Sequence, residues 1–157
     1  MAKYKQRISD RILKRKVLGK GAVLIEGPKW CGKTTTAKQL AKSVLDLGDS
    51  SVLKQSAQLI ELSPKTLLEG KTPRLIDEWQ ALPLIWDSIR SEVDKRGEPS
   101  QFIFTGSRVL PEADEPIHRG TGRFAYIKMR PMSLYESGES NGTVSLTDLF
   151  EGKPFKT

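Results

Sequence analysis

The chain has 157 residues, of which 37% are hydrophobic and 29% charged, and a net charge of +7. This length suits one domain with a proper core, and the chain shows neither an apolar run of the ~18 residues that a transmembrane helix needs nor the apolar segment of a signal peptide. Its single cysteine, Cys31, excludes an intramolecular disulfide, so we expect one cytoplasmic domain over residues 1–157, with no membrane contact.

The first twenty residues carry eight Lys and Arg side chains against one acid, Asp10. Apolar residues recur among them at helical spacing, at Ile8, Ile12, Leu13 and Val17. This pattern predicts a basic amphipathic N-terminal helix over residues 1–20. The basic side chains either bind nucleic acid or form the solvated side of a helix that docks on the domain. The near absence of aromatic residues, with Tyr4 alone, favours the solvated helix.

Residues 27–34 read Gly-Pro-Lys-Trp-Cys-Gly-Lys-Thr and fit the phosphate-binding pattern G-x-x-x-x-G-K-[ST], the P-loop. The apolar run at 22–25 before them predicts a buried parallel strand, about Ala22–Glu26, and a helix is predicted from residue 34 to about Leu47. A helix N-terminus directs N–H groups and partial positive charge at an anion. The residues expected to contact the nucleotide are Gly27, Pro28, Lys29, Trp30, Cys31, Gly32, Lys33, Thr34 and Thr35.

The residues of this loop have different tasks. Gly27 and Gly32 allow the backbone to come close to a phosphate. Lys33 is expected to reach the β- and γ-phosphates, and the hydroxyl of Thr34 to ligate Mg²⁺. For Cys31, the role of a small filler in a variable position is favoured over that of a reactive thiol.

Apolar runs and turn residues predict the remaining elements. In chain order these are a short second strand over 52–55, helical or irregular residues 56–69 with a helix start at Ser63-Pro64, a third strand over 73–78, a helix over 81–96, a fourth strand over 101–105, turn-rich residues 108–122, a fifth strand over 124–129, a short capped helix over 133–137 and a tail over 138–157. Strands that alternate with helices in this way predict an α/β fold, with a parallel sheet covered by helices on both faces.

Two acids, Asp77 and Glu78, close the third predicted strand, as in a Walker B element. Because Mg²⁺ takes carboxylate oxygen, Asp77 is the expected metal-side acid. The adjacent Glu78 is the expected general base that polarises the attacking water. An acidic helix start is the alternative interpretation, which the P-loop makes less favoured.

Further candidates follow the fourth strand and precede the fifth. Thr105 and Ser107 are expected to hydrogen-bond the γ-phosphate or the attacking water, although Thr-Gly-Ser is also a good turn. Arg119 or Arg123, in a Gly-rich basic loop, is a candidate to neutralise charge on the γ-phosphate, in cis or from a neighbouring subunit of a homo-oligomer. A solvated basic loop is the alternative.

Four separated segments, in order, resemble the prokaryotic AAA-type ATP-binding proteins: 26–37, 75–80, 104–107 and 129–138. The resemblance implies a P-loop NTPase fold with five core strands in the order 5-1-4-3-2, which would place Thr105 beside Asp77 and Glu78. It implies that Lys33 and Thr34 bind phosphate and Mg²⁺, and that Arg123 is the arginine-finger candidate. Family members continue into a C-terminal domain of winged-helix and nuclease-like character, so the resemblance also implies an effector domain that is missing from this sequence, which ends at Thr157.

The expected function is that of an ATP-binding, Mg²⁺-dependent, ATP-hydrolysing domain that acts as motor or switch for an attached or partner module. ATP is expected rather than GTP because the chain contains no guanine-selective N-K-x-D run. Two alternatives stay open. A small-molecule or nucleotide kinase would transfer the phosphate to a bound acceptor, and a non-hydrolysing module would hold nucleotide while its basic N-terminus binds DNA. The acid pair at 77–78 favours water activation, since a kinase must keep water out.

Overall fold

A parallel sheet of five strands forms the centre of the computed structural model, which describes residues 4–106 and 122–153. The strands are β1 (Ala22–Glu26), β2 (Ser43–Asp46), β3 (Arg74–Asp77), β4 (Phe102–Gly106) and β5 (Phe124–Lys128). Their order in the sheet is β2-β3-β4-β1-β5, and each paired strand runs parallel to its neighbour. This is the expected order 5-1-4-3-2 read from the other edge, so the predicted fold class is confirmed.

Helices cover both faces of this sheet. The described helices are α1 (Ile8–Gly19), α2 (Lys33–Lys38), α3 (Ser50–Leu62), α4 (Pro64–Leu68), α5 (Ile85–Arg96), α6 (Leu134–Ser137) and α7 (Leu146–Phe150), with a 3-10 helix at Trp79–Ala81. Because side chains alternate along a strand, β1 sends Ala22 and Leu24 into the core beneath α3, α4 and α5, and Val23 and Ile25 into the core beneath α1 and α2. None of the helices in the described part of the chain is long and apolar enough to cross a membrane.

Four aromatic rings fix α5 and the 3-10 helix to the sheet. Trp86 lies 4.9 Å from Trp79, 5.6 Å from Phe104 and 4.8 Å from Phe124, measured between ring centroids. Aromatic pairs at these separations add to the burial of apolar surface. The cluster therefore ties the segment that follows Asp77 to strands β4 and β5.

The predicted second strand at 52–55 is wrong, and so is the predicted continuation of the P-loop helix to Leu47. Helix α2 ends at Lys38, strand β2 follows at Ser43–Asp46, and residues 52–55 lie inside α3. Asp49 begins α3, because its carboxylate accepts hydrogen bonds from the backbone N–H groups of Ser51 and Val52. Strand β2 lies at the edge of the sheet with only Leu45 buried, which leaves little apolar alternation to predict it from.

The other predicted helices are found with shifted bounds. In the N-terminal helix, Leu13 and Val17 are buried, whereas Ile8 is 55% exposed. The helix predicted over 81–96 begins only at Ile85, since Pro83 disfavours helical geometry at the residue before it. The short helix predicted over 133–137 is confirmed, and its N-cap hydroxyl accepts a hydrogen bond from the backbone N–H of Glu136.

Candidate phosphate-binding site

The carboxyl ends of the five parallel strands lie together along one border of the sheet, which we call the carboxyl edge. It runs across the ends of the strands and is distinct from the outermost strands β2 and β5. The P-loop follows β1 there, Asp77 is the last residue of β3, and Thr105 lies near the end of β4. Thr105 is the register partner of both Asp77 and Ile25. Ligands of such sheets bind at this edge, so the fold brings together the residues that the sequence had placed in three separate motifs.

Two glycines shape the P-loop between β1 and α2. A Cβ atom on Gly27 would collide with the carbonyl oxygen of Met129, so only glycine fits at this position. Gly32, the N-cap of α2, has φ +98°, in the region that favours glycine. The predicted need for glycine at both positions thus has a visible physical cause.

The tip of the loop faces solvent. Pro28, Lys29 and Trp30 are exposed, and Trp30 is 91% exposed with a left-handed backbone at φ +63°. The ammonium of Lys29 lies 5.6 Å from the ring centroid of Trp30, within cation–π range. Thr35, also exposed, lies in the first turn of α2.

Lys33 is buried inside the loop, with 5% of its surface exposed. Its Nζ donates hydrogen bonds to the carbonyl oxygens of Gly27, at 3.0 Å, and Pro28, at 2.8 Å. An ammonium has three donors, so one remains for an anion in the loop. A buried cation that donates to neutral carbonyls is well suited to an anionic ligand.

Two threonine hydroxyls meet on one oxygen of Asp77. Thr34 Oγ1 donates to Asp77 Oδ1 at 2.9 Å, and Thr105 Oγ1 donates to the same oxygen. Asp77 is 5% exposed and Thr105 is fully buried. The three side chains therefore form one hydrogen-bonded group beside Lys33.

The oxygen donors of this group fit Mg²⁺. A threonine hydroxyl and a carboxylate are hard ligands of the kind this ion takes. Among the described residues, no cluster of three or more His, Cys, Asp or Glu side chains exists that would hold a metal ion by itself. The site thus suits an ion that takes its remaining ligands from phosphate and water, as Mg²⁺ does.

Glu78, the expected general base, is half-buried and has a left-handed backbone at φ +53°. Such a conformation is costly for a non-glycine residue and is often found where a side chain must be aimed. Its carboxylate accepts a hydrogen bond from Gln80 Nε2. A Cβ atom placed on Gly106 would lie 2.6 Å from Gln80 Oε1, so Gln80 fills the space next to the end of β4. The sequence does not indicate a role for Gln80, because nothing local links a single glutamine to Gly106, the residue after Thr105.

Arg123 lies at the opposite edge of the sheet, which we call the amino edge. It immediately precedes β5, whose first residue pairs with the first residue of β1, and its guanidinium pairs with Asp94 of α5. The whole length of β5 separates Arg123 from the carboxyl edge. The possibility that it acts in cis is therefore wrong, whereas action from a neighbouring subunit stays a prediction. Ser107 and Arg119 lie outside the described residues.

Arg7, which no sequence pattern indicated, contacts the P-loop directly, and Glu136 is linked to the loop through Arg7. Arg7 donates to the carbonyl oxygen of Cys31 at 2.7 Å and to that of Arg130 at 2.9 Å, and it forms a buried ion pair with Glu136 at 3.1 Å. The sequence separations of 24 to 129 residues explain why no local pattern indicated them. The S-x-x-E spacing of Ser133 and Glu136 indicates a helix cap but not this second contact of the glutamate.

Comparison with known families adds an independent finding. The family model AAA_14, described as an AAA domain, matches residues 19–138. No curated protein matches the sequence. The matched region contains all five strands, the P-loop, the acid pair at 77–78 and Thr105. With most of its length matched, and with a five-stranded parallel sheet in the expected order, the chain belongs to the AAA domain family AAA_14.

Proposed function

We propose that this domain binds ATP with Mg²⁺, hydrolyses it and acts as motor or switch for an attached or partner module. Membership of the AAA family supports a nucleotide-binding, ATPase-type domain in general. One observation carries the finer proposal: the hydroxyl of Thr34, the residue that follows the buried Lys33 in the P-loop, and the hydroxyl of Thr105 converge on Asp77.

Lys33 and the backbone N–H groups of the P-loop would hold the phosphates. Lys33 Nζ exchanges contacts with two loop carbonyls for contacts with phosphate oxygens, which gives the buried charge an anionic partner.

Thr34 and Asp77 would hold the metal ion. Bound Mg²⁺ would supply positive charge to the phosphate oxygens while the bond from the γ-phosphorus to the bridging oxygen breaks. Thr105 fixes the orientation of the Asp77 carboxylate by donating to Oδ1. With Thr105 buried and Asp77 almost fully buried, this group is rigid and reaches the ligand already oriented.

Glu78 would accept the proton of the attacking water. The water oxygen bonds to the γ-phosphorus, the bond from that phosphorus to the ADP oxygen breaks, and inorganic phosphate leaves. In the structure, Gln80 donates to the Glu78 carboxylate. Gln80 therefore holds the base in a defined place next to the end of β4.

Glu78→Gln tests this assignment, because an amide cannot accept the proton. We expect the variant to bind Mg²⁺-ATP like the unchanged protein while single-turnover hydrolysis, measured at high protein concentration, falls by about 10²-fold or more. Glu61→Gln makes the same charge change at an exposed position of α3 and should leave hydrolysis unchanged. Unchanged hydrolysis in Glu78→Gln would rule out this role for Glu78.

Calorimetry with ATP, ADP and GTP, each with and without Mg²⁺, tests the ligand. We expect Mg²⁺-dependent binding of ATP, weaker binding of GTP, and loss of both in Lys33→Ala. Absence of nucleotide binding by the unchanged protein would contradict the proposal. Phosphate that appears on an added acceptor, instead of free in solution, would identify the domain as a kinase.

A further inference from the structure

The buried side chain of Arg7 joins three segments that are far apart in sequence. It is 7% exposed and precedes α1 as its N-cap. Its Nη1 donates to the P-loop carbonyl of Cys31, its Nη2 to the carbonyl of Arg130 after β5, and its Nε to the carboxylate of Glu136 in α6. A planar guanidinium can satisfy three acceptors in fixed directions at once, which an ammonium on a flexible stem does less well.

The contact with Cys31 fixes the orientation of a P-loop peptide. A trans peptide is planar, so its C=O and N–H groups point in opposite directions. With the Cys31 oxygen held 2.7 Å from Nη1, the N–H of Gly32 must point away from Arg7. The absence of a side chain at Gly32 also matters here, since a Cβ atom there would lie 3.1 Å from Nη1. Rotation of this peptide would turn a carbonyl, instead of an N–H group, toward an anion in the loop.

Glu136 holds Arg7 in place and balances its charge. The carboxylate accepts from Arg7 Nε at 3.1 Å, from the backbone N–H of Ile8 at 2.7 Å and from that of Ser133 at 2.8 Å. The two side chains are only 6% and 8% exposed. Because the pair is neutral overall, it adds little net charge to the field at the loop. Its effect on an anion must then come mainly from the geometry that it imposes.

We propose that Arg7 and Glu136 form a clamp that positions the Cys31–Gly32 peptide for phosphate binding and couples the occupancy of the P-loop to residues 130–138. The proposal rests on the proposed function, in that the bound anion is the phosphate of a nucleotide. Arg7 and Glu136 are positioning residues, since they act through the loop. Coupling is reciprocal: if the clamp favours nucleotide binding, then bound nucleotide must favour the closed clamp.

Calorimetry with Mg²⁺-ATP tests the positioning effect in Arg7→Lys and Glu136→Gln. If the loop peptide loses its orientation in most molecules, the apparent Kd rises in proportion, and we expect an increase of about tenfold or more in both variants. Arg15→Lys and Glu139→Gln make the same substitutions at exposed positions and should bind like the unchanged protein. Thermal melts establish that each variant is folded at the assay temperature.

The direction in which Glu136→Gln changes the Kd for Mg²⁺-ATP distinguishes positioning of the loop peptide from an electrostatic effect. Removal of a negative charge near the loop would strengthen anion binding through the electrostatic field alone. The clamp requires weaker binding. A tighter Kd in Glu136→Gln, or a Kd within twofold of the unchanged protein in Arg7→Lys, would therefore overturn the proposal.

Hydrogen exchange tests the coupling and does so in the unchanged protein, so it does not depend on the folding of a variant. We expect Mg²⁺-ATP to slow amide exchange over residues 130–138, and this protection to be lost in Arg7→Lys. Nucleotide binding without protection of these residues would overturn the clamp alone. Failure of the unchanged protein to bind nucleotide at all would overturn the proposed function and the clamp together.

Discussion

Asp77 accepts hydrogen bonds from two hydroxyls at the carboxyl edge, and in the proposed function its negative charge would also hold the cation. The hydroxyls of Thr34 and Thr105 would donate to an amide oxygen almost as well as to a carboxylate oxygen. A metal ion would not, since the negative charge is what binds it. The two tasks can thus be separated by removing the charge while keeping the shape.

Asp77→Asn makes this change. We expect the variant to stay folded and to lose the Mg²⁺ dependence of ATP binding, with an affinity close to that of the unchanged protein in EDTA, as measured by calorimetry. Asp46→Asn is the matched control, because Asp46 is the register partner of Asp77 on β2 and is exposed at the same edge. An equal loss in both variants would indicate a general effect of charge at the edge and would contradict the assignment of Asp77 as a ligand.

At this scale, the sequence predicted the placement of those candidate residues whose positions follow from short-range spacing. Gly32, Lys33 and Thr34 are fixed relative to one another by the loop pattern, and Asp77 by its place at the end of an apolar run. Arg7 could not be predicted, because its role depends on contacts between segments that approach only in the folded chain. Gln80 lies two residues from its partner Glu78, but its fit against Gly106 also depends on the folded chain.

Among the elements, α5 packs an aromatic side chain against residues that neighbour the candidate site in sequence. Its Trp86 is 3% exposed and contacts Trp79, which follows the Asp77-Glu78 pair, and Phe104, which precedes Thr105. Packing in this cluster thus fixes the backbone on both sides of the carboxylate and hydroxyl group that we assign to the metal.

Trp86→Ala should lower the free energy of unfolding by about 3–5 kcal/mol, because it leaves a large cavity among buried rings. Chemical denaturation followed by circular dichroism measures this loss. Leu84→Ala, two residues earlier at a side chain 62% exposed, should change the free energy by less than about 0.5 kcal/mol. A loss in Trp86→Ala no larger than in Leu84→Ala would contradict the packing described here.

The elements that the sequence missed are those whose apolar pattern is weak. Strand β2 buries one of its four side chains, and its neighbours Leu40 and Leu47 happen to continue a helical spacing from α2. Strands β1 and β4 are buried along almost their whole length and were predicted to within one residue. Burial on both faces produces the continuous apolar runs that make central strands predictable.

Glu136 of α6, which pairs with Arg7 of the N-terminal segment, makes a contribution to folding stability that depends on pH. Burial raises the pKa of Glu136, but hydrogen bonds from the backbone N–H groups of Ser133 and Ile8, and from Arg7, outweigh it and bring the pKa from 4.5 to about 2. A carboxyl whose pKa falls on folding stabilises the fold above its unfolded pKa. That contribution is lost as the pH falls from about 4.5 through about 2.

We therefore expect Glu136→Gln to be less stable than the unchanged protein at pH 7, and this difference to shrink as the pH falls through that window. Urea denaturation at a series of pH values measures both free energies of unfolding. Glu139→Gln should show no such convergence, because Glu139 is exposed. A difference between Glu136→Gln and the unchanged protein that is constant from pH 7 to pH 3 would contradict the lowered pKa.

At the scale of the whole molecule, the two edges of the sheet separate the P-loop from Arg123. Five residues of β5 at ~3.3 Å each put roughly 17 Å between the amino edge and the carboxyl edge. An arginine paired with Asp94 at the amino edge cannot reach a phosphate at the carboxyl edge of its own subunit. A second copy would bring it there only if the amino edge of one molecule faced the carboxyl edge of the next. Such a contact is head-to-tail, and it builds a ring or a filament instead of a two-fold dimer.

With this geometry, any effect of Arg123 on ATP hydrolysis should depend on protein concentration. Arg123→Ala should leave nucleotide affinity unchanged and, in dilute monomeric protein, should leave ATP hydrolysis unchanged as well. If Arg123 acts from a neighbouring subunit, the unchanged protein gains specific activity as its concentration rises and Arg123→Ala does not.

A mixture of two variants, each of which lacks one part of the shared site, tests this arrangement directly. Lys33→Ala lacks a working P-loop but keeps Arg123, whereas Arg123→Ala keeps its P-loop. In a head-to-tail assembly, the first variant supplies the missing arginine to the second, so the mixture should hydrolyse ATP faster than the sum of its parts. Strict additivity at a concentration where sedimentation shows assembly would remove Arg123 from the catalytic site altogether. Its ion pair with Asp94 would then be a surface contact at the amino edge.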